Sequence, residues 1–197
     1  MIKFLFCITP FLLFGFSSKE VFEKFPNTYF VETGSYLGEG IQLALDTGSY
    51  DQIISIELSP HYASFCKSKF ASNKNVKILL GDSGQILFRI MKSIDKTATF
   101  WLDGHWSGGN TARGSKISPI MEELEAIKSS KIKNHVILID DVRGFGGDQF
   151  DYHTLDEVVD KIKEINPNYK IAFYDCAAAK GDILAAFIEE DLLNQTP

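Results

Sequence analysis

Cysteine is scarce in this chain: Cys7, Cys66 and Cys176, widely separated and never spaced as C-x-x-C. That excludes a disulfide framework and a thiolate zinc site, and isolated buried thiols are the expectation. Basic residues are fewer than acidic ones, 20 against 26, and form no cluster, for a net charge of −6. A nucleic-acid backbone is therefore not the expected partner. Repeats and low-complexity stretches are missing, so no solenoid or array is indicated. Long apolar runs are missing too, with one exception: Phe4–Phe16 follows a single lysine and precedes small residues. It is too short to span a bilayer comfortably and has the layout of a secretory signal peptide. Residues 1–18 are accordingly read as a signal-peptide-like or anchor segment, with residues 4–16 alone suited to membrane contact. Residues 19–197 are read as one domain, of ordinary globular composition at 45% hydrophobic and 23% charged.

What is present is an alternation. Short β-branched or aromatic runs occur at Tyr29–Glu32, Ile53–Glu57, Val76–Leu80, Thr99–Leu102, Val136–Ile139, Ile171–Tyr174 and Ile183–Ile188. Helix-period segments separate most of them. Ser59–Ser72 spaces Tyr62, Phe65, Cys66 and Phe70 helically, and Ile86–Ile94 does likewise. Ser118-Pro119 reads as a serine N-cap with proline in the first turn, ahead of Ile120, Leu124 and Ile127. Thr154-Leu-Asp-Glu157 reads as a capping box before Val158, Val159, Ile162 and Ile165. Strand–helix alternation predicts an α/β fold, a Rossmann-like doubly wound sheet of about seven strands, mainly parallel. Between the last two strands, Ala177–Asp182 is long enough only for a hairpin, so the final strand is expected antiparallel.

In such sheets ligands bind beyond the carboxyl ends of the strands, at the switch point. Five successive strand ends here are acidic: Glu32, Glu57, Asp82, Asp103 and the pair Asp140-Asp141. Scattered solubilising charge would fall on helices instead. The first strand runs into Gly34 and Gly38, glycines suited to a tight turn and a close approach, and then into a helix. A dinucleotide site would want a third glycine where Tyr36 stands. Glu57, roughly 20 residues past that turn, is placed to accept both hydroxyls of a ribose, a feature shared by nicotinamide and S-adenosyl cofactors. The turn Gly81-Asp82-Ser83-Gly84 suits an adenine amino group. The incomplete pyrophosphate loop and the acidic Glu32 favour a cofactor without phosphates, such as a sulfonium amino acid.

These stretches carry a resemblance. E-T-G-S-Y-L-G from Glu32, I-E-L-S-P-H-Y-A from Ile56, V-K-I-L-L-G-D-S from Val76, L-D-G-H-W from Leu102 and I-D-D-V from Ile139 occur in that order. Together the chain resembles a class I S-adenosylmethionine-dependent methyltransferase, and within that group the catechol-type, metal-dependent O-methyltransferases. The resemblance implies that Glu32 and Gly34 line the methionine part of the cofactor, Glu57 holds the ribose, and Asp82 and Ser83 flank the adenine. Gly38 belongs to the same cofactor loop. It implies oxygen ligation of a divalent metal, magnesium above all, by Asp103, Asp140 and Asp141, which would relieve the repulsion among three carboxylates. The alternative for Asp140 or Asp141 is a helix cap or a pair with Arg143. The implied reaction is in-line methyl transfer to an oxygen of a small hydroxylated acceptor.

Two departures qualify the resemblance. The family places a lysine base after its His-Trp pair, where this chain has Ser107, so His105 is the substitute base candidate beside Asp103. Its competing reading is a histidine that only supports a neighbouring carboxylate. The family also has helices before the first strand, whereas the corresponding region here is short and mostly signal-like. The glycine-rich loop SGGNTARG, residues 107–114, is an addition suited to a lid or acceptor clamp, with Arg113 available to an anion. The N-terminus points to export or anchoring while supply of the methyl donor points to the cytoplasm. That conflict sustains a second hypothesis, an exported or anchored non-catalytic interaction protein of the same fold. A nicotinamide-dependent oxidoreductase is the weaker third.

Overall fold

The computed structural model describes residues 16–193. Seven apolar runs form one seven-stranded sheet: β1 (Tyr29–Thr33), β2 (Gln52–Glu57), β3 (Val76–Leu80), β4 (Ala98–Leu102), β5 (Val136–Ile139), β6 (Lys170–Tyr174) and β7 (Ile183–Phe187). Their spatial order is β3-β2-β1-β4-β5-β7-β6. β1 pairs in parallel with both β2 and β4, and β7 runs antiparallel to β5 and β6. The expected α/β sheet with an antiparallel final strand is what forms, each strand within about a residue of its expected span. The hairpin before β7 closes through Gly181, whose positive φ of 65° lets the chain reverse.

Helices cover both faces: α1 (Phe16–Lys24), α2 (Glu39–Thr47), α3 (Pro60–Lys69), α4 (Ser83–Ile90), α5 (Ile120–Lys128), α6 (Leu155–Ile165) and the short α7 (Glu189–Leu193). Alternation along β4 sorts the two cores. Phe100 and Leu102 pack with Leu87, Leu124, Ile127, Val158 and Ile162 of α4–α6, and Trp101 packs on the opposite face with Phe22, Phe30, Ile41 and Cys66. Thr154 and Glu157 make the reciprocal capping box that opens α6.

Several local expectations need correction. α5 begins at Ile120, with Pro119 in the capping position and no side-chain cap there; Ser118 Oγ accepts only a long bond of 3.4 Å from Ile120 N–H. α4 starts three residues early, at Ser83, because Asp82 caps it by accepting from Gly84 N–H at 2.9 Å. Phe65 does not join Tyr62 and Cys66 in the core and is 43% exposed, since the buried line of α3 follows the i, i+4 pair.

The part of the chain just before β1 packs on the sheet. Val21, Phe22 and Phe25 of the α1 region are buried. The Phe22 ring lies 4.8 Å from Phe30 and 5.1 Å from Trp101. Tyr50 Oη donates to the Phe22 carbonyl at 2.8 Å and Thr99 Oγ1 to that of Phe25 at 2.6 Å, so the C-terminal end of α1 is tied to the sheet. The 18/19 boundary read from the sequence falls inside α1. Residues 1–15, and with them most of the signal-like segment and Cys7, lie outside the described residues. No described helix is long and apolar enough to cross a membrane. Cys66 is a buried free thiol and Cys176 a half-buried one.

Candidate active site

The strand order reverses between β1 and β4, which are neighbours in the sheet. Here the strand ends touch. Gly34 follows β1 with φ 83°, and a Cβ on it would stand 2.3 Å from the backbone oxygen of Asp103. Only glycine fits that close approach. A cavity of about 290 Å³ opens at this junction, walled by Gly34, Tyr36, Glu57, Asp82, Asp103 and His105 among others. This is the position at which doubly wound sheets bind ligands.

On the β1–β3 side the two carboxylates that line the cavity, Glu57 and Asp82, have backbone partners. Glu57, 6% exposed, accepts from Tyr36 N–H at 2.9 Å and from Ser59 N–H at 2.7 Å. Tyr36 takes a left-handed conformation, φ 43°, where a dinucleotide loop would use glycine, and its ring lies 4.7 Å from that of Tyr62. Asp82 spends one oxygen on its helix cap. Ser83 lines the cavity, yet its hydroxyl turns away to donate to Glu123 at 2.6 Å.

Glu123 was not foreseen. It is fully buried beneath the site, and burial pushes its carboxyl up to about 7, against the lowering effect of hydrogen bonds from Ser83 and Thr33. The sequence held one signal for it: an acid on the same i, i+3, i+4, i+7 stripe as Ile120, Leu124 and Ile127.

Two expected cofactor residues do not line the cavity. Glu32 is buried below it, receives a hydrogen bond from Ser55 Oγ and packs so closely that a Cβ on Gly40 would overlap its carboxylate. Burial, opposed by Ser55 and reinforced by Glu57 and Glu39, pushes its carboxyl up to about 8. Gly38, φ 76°, makes room for protein: a Cβ there would lie 2.5 Å from the Phe70 ring.

The β4–β5 side is built differently. His105, buried, stands between two carboxylates, with Nδ1 3.4 Å from Asp103 Oδ1 and Nε2 3.3 Å from Asp141 Oδ2. The Phe150 ring stacks on it at 5.0 Å. Arg143 meets the other oxygen of Asp141 at 2.5 Å and also pairs with buried Asp182. Burial, then the charges of Asp140 and Asp141, drive the Asp103 carboxyl well above the usual range. Burial lowers the pKa of His105, with Asp141 opposing and Arg143 reinforcing, which favours the neutral ring. Asp140 is raised to about 6 by burial and by Asp141.

The three acids expected to share a cation are thus not the set the structure brings together. Ligand atoms of Asp103, His105 and Asp141 lie within 4.8 Å of one another, while Asp140 groups instead with Cys176 and Asp182 and accepts from Asp141 N–H at 2.9 Å. Two carboxylates and an imidazole suit a transition-series divalent ion better than magnesium, which prefers an all-oxygen shell.

The added loop lines the cavity through Ser107, Thr111, Ala112 and Gly114, flanked by Trp106 and Lys116. Arg113 is not among the lining residues; its guanidinium lies 5.2 Å from the Trp106 ring centre.

No family model matches the chain, and no curated protein matches it in sequence. Solved structures do match in fold. An O-methyltransferase from Bacillus cereus in complex with SAH (S-adenosylhomocysteine) superposes with TM-score 0.58 at 15% identity, covering 87% of this chain and 79% of that one. An SAH-bound methyltransferase from Podospora anserina gives 0.54 at 14%, covering 87% and 76%. A candidate rRNA-methylase from Clostridium thermocellum gives 0.60 at 12%, covering 86% and 94%. At these identities the likeness establishes the fold: this is the Rossmann-like sheet on which class I methyltransferases are built.

Proposed function

We propose that the chain is an S-adenosylmethionine-dependent methyltransferase acting on an oxygen of a small hydroxylated acceptor. The observation that carries the reading is the pairing, in one cavity at the switch point, of Glu57 and the Gly34 turn with the Asp103–His105–Asp141 cluster. The donor would supply an electrophilic methyl on a sulfonium. Glu57, already fixed by two backbone amides, keeps free lone pairs for ribose hydroxyls. Asp82 keeps its second oxygen for the adenine amino group. Gly34 lets the backbone approach the amino-acid part. Its uncharged, pre-shaped turn needs no phosphate, in keeping with the tyrosine at position 36.

Neutral His105 is the proton acceptor for the attacking hydroxyl, and Asp141 holds the ring and stabilises the imidazolium that forms. Asp103, Asp141 and His105 are alternatively the residues that would hold a divalent cation; His105 would then spend its one lone pair on the cation, which would fix the acceptor oxygen and lower its pKa in place of a base. The acidic surface favours a small molecule over RNA as acceptor, although the fold also serves a candidate rRNA-methylase.

Calorimetry with S-adenosylhomocysteine tests the reading on the full chain. Micromolar binding, lost on Glu57→Ala, is expected; no binding with or without added divalent metal would sink it and leave the non-catalytic interaction protein in its place. Metal assistance is checked separately: a chelator that leaves methyl transfer unchanged removes the cation from the scheme.

A further inference from the structure

We infer that residues 107–117 are a lid over the nucleoside end of the cofactor cavity, and that Asp151 is the positioning residue that latches it. The inference rests on the cofactor reading above. Near its end the loop sits on Asp82, a residue assigned to adenine, and on Leu58, which follows the ribose residue Glu57: a Cβ on Gly114 would lie 3.6 Å from Asp82 Oδ2 and 3.5 Å from Leu58 Cδ2. The glycine-rich insertion therefore closes on the donor and leaves the acceptor side, at Asp103 and His105, to other residues.

Its attachments are few and sit at its base. Trp106 N–H donates to the Ile117 carbonyl at 2.7 Å, which draws the two ends of the loop together. Lys116 pairs with Glu122 at the start of α5. One carboxylate oxygen of Asp151 accepts from both Ile117 N–H and Ser118 N–H, each at 3.0 Å. Toward the tip the ties are local: the N–H and hydroxyl of Thr111 both donate to the Gly108 carbonyl. Gly108 and Gly109 are left-handed, and a Cβ on either would touch nothing within 4 Å. A loop held at its foot, unwedged at its tip and lying on a ligand cavity is able to lift as a unit.

Asp151 is suited to the latch in two ways. It adopts φ 50°, a conformation that Asp, Asn and Gly tolerate. It also follows Phe150, whose ring backs His105, so the same short segment supports the lid foot on one side and the proton acceptor on the other. A carboxylate accepting two amides is the strong form of such a contact.

The test is stopped-flow tryptophan fluorescence of S-adenosylhomocysteine binding to the full chain. Trp106 lines the cavity at the foot of the lid, with Arg113 of the lid 5.2 Å from its ring centre, and so reports closure, whereas Trp101 is buried in the sheet. Asp151→Gly keeps the backbone conformation and removes the latch; its dissociation rate should rise about tenfold with the melting temperature nearly unchanged. Asp151→Asn keeps an oxygen acceptor and should stay within about threefold of wild type. If wild type binds and the glycine variant dissociates no faster, or the asparagine and glycine variants accelerate equally, the latch is wrong and the cofactor reading stands. If wild type does not bind at all, the cofactor reading fails and takes the lid with it. Should the glycine variant not fold, hydrogen exchange on wild type decides: ligand must slow exchange across residues 107–118, and unchanged exchange there overturns the lid.

Discussion

The two halves of the strand-end row use the same residue type for opposite purposes. On the β1–β3 side, Glu57 and Asp82 are each bound to backbone amides of their own turns, so they are fixed before any ligand arrives. On the β4–β5 side, Asp103 and Asp141 are bound chiefly to titratable side chains, His105 and Arg143, and the charge of Asp141 adds to the burial that raises the proton affinity of Asp103. Backbone amides cannot move away or change charge. Side chains can do both. The first arrangement suits recognition of a constant ligand, the second suits handling of protons or a cation.

The severest way to break this comparison is to part the halves where they meet. Gly34→Ala puts a methyl against the Asp103 carbonyl in a left-handed turn, and should abolish S-adenosylhomocysteine binding while costing roughly 3 kcal/mol or more of stability. Calorimetry and denaturant melts read both effects. A sharper cut compares single atoms. Glu57→Gln should weaken S-adenosylhomocysteine on the order of thirtyfold, in line with losing a charge-assisted hydrogen bond. Asp103→Asn should leave that affinity within about threefold yet slow methyl transfer on the order of a hundredfold. Equal effects of the two changes on affinity would erase the distinction between the halves.

The mildest intervention touches neither half. His135 lies buried at the opposite end of the sheet, taking Ala98 N–H at 3.1 Å and contacting Ser130 Oγ at 3.0 Å. Burial lowers its pKa from 6.5 to about 4, with Lys133 reinforcing. A base whose folded pKa is depressed contributes stability that is complete above pH 6.5 and is lost as pH falls toward 4. The loss should be about 3 kcal/mol on acidification across that window, measured by urea melts. Affinity for S-adenosylhomocysteine measured above pH 6.5 should not register it.

Much of the architecture was legible because strand and helix periods are local properties. All seven strands, the capping box at Thr154 and the antiparallel last strand followed from spacing alone. So did the acidic row of strand ends. Less legible was which acids share a space. Glu32 and Asp82 both end or follow strands, yet one is sealed under Gly40 and the other caps a helix at the cavity wall. Glu123 shares the apolar stripe of its helix, which marks it as inward-facing but does not say that it lies beneath the site.

The sequence by itself determined the strand count, the parallel core of the sheet, the Gly34 turn and the candidates for chemistry. Each depends on residues near one another in the chain. Only the tertiary structure decided that α1 docks on the sheet through Phe22 and Phe25 and that His105 stands between Asp103 and Asp141. Only there does Asp140 turn to other partners, and only there does Asp151 reach the foot of a loop more than 30 residues earlier. Those outcomes turn on packing and desolvation among segments distant in sequence, and no local period encodes which of several equivalent carboxylates will win a shared partner.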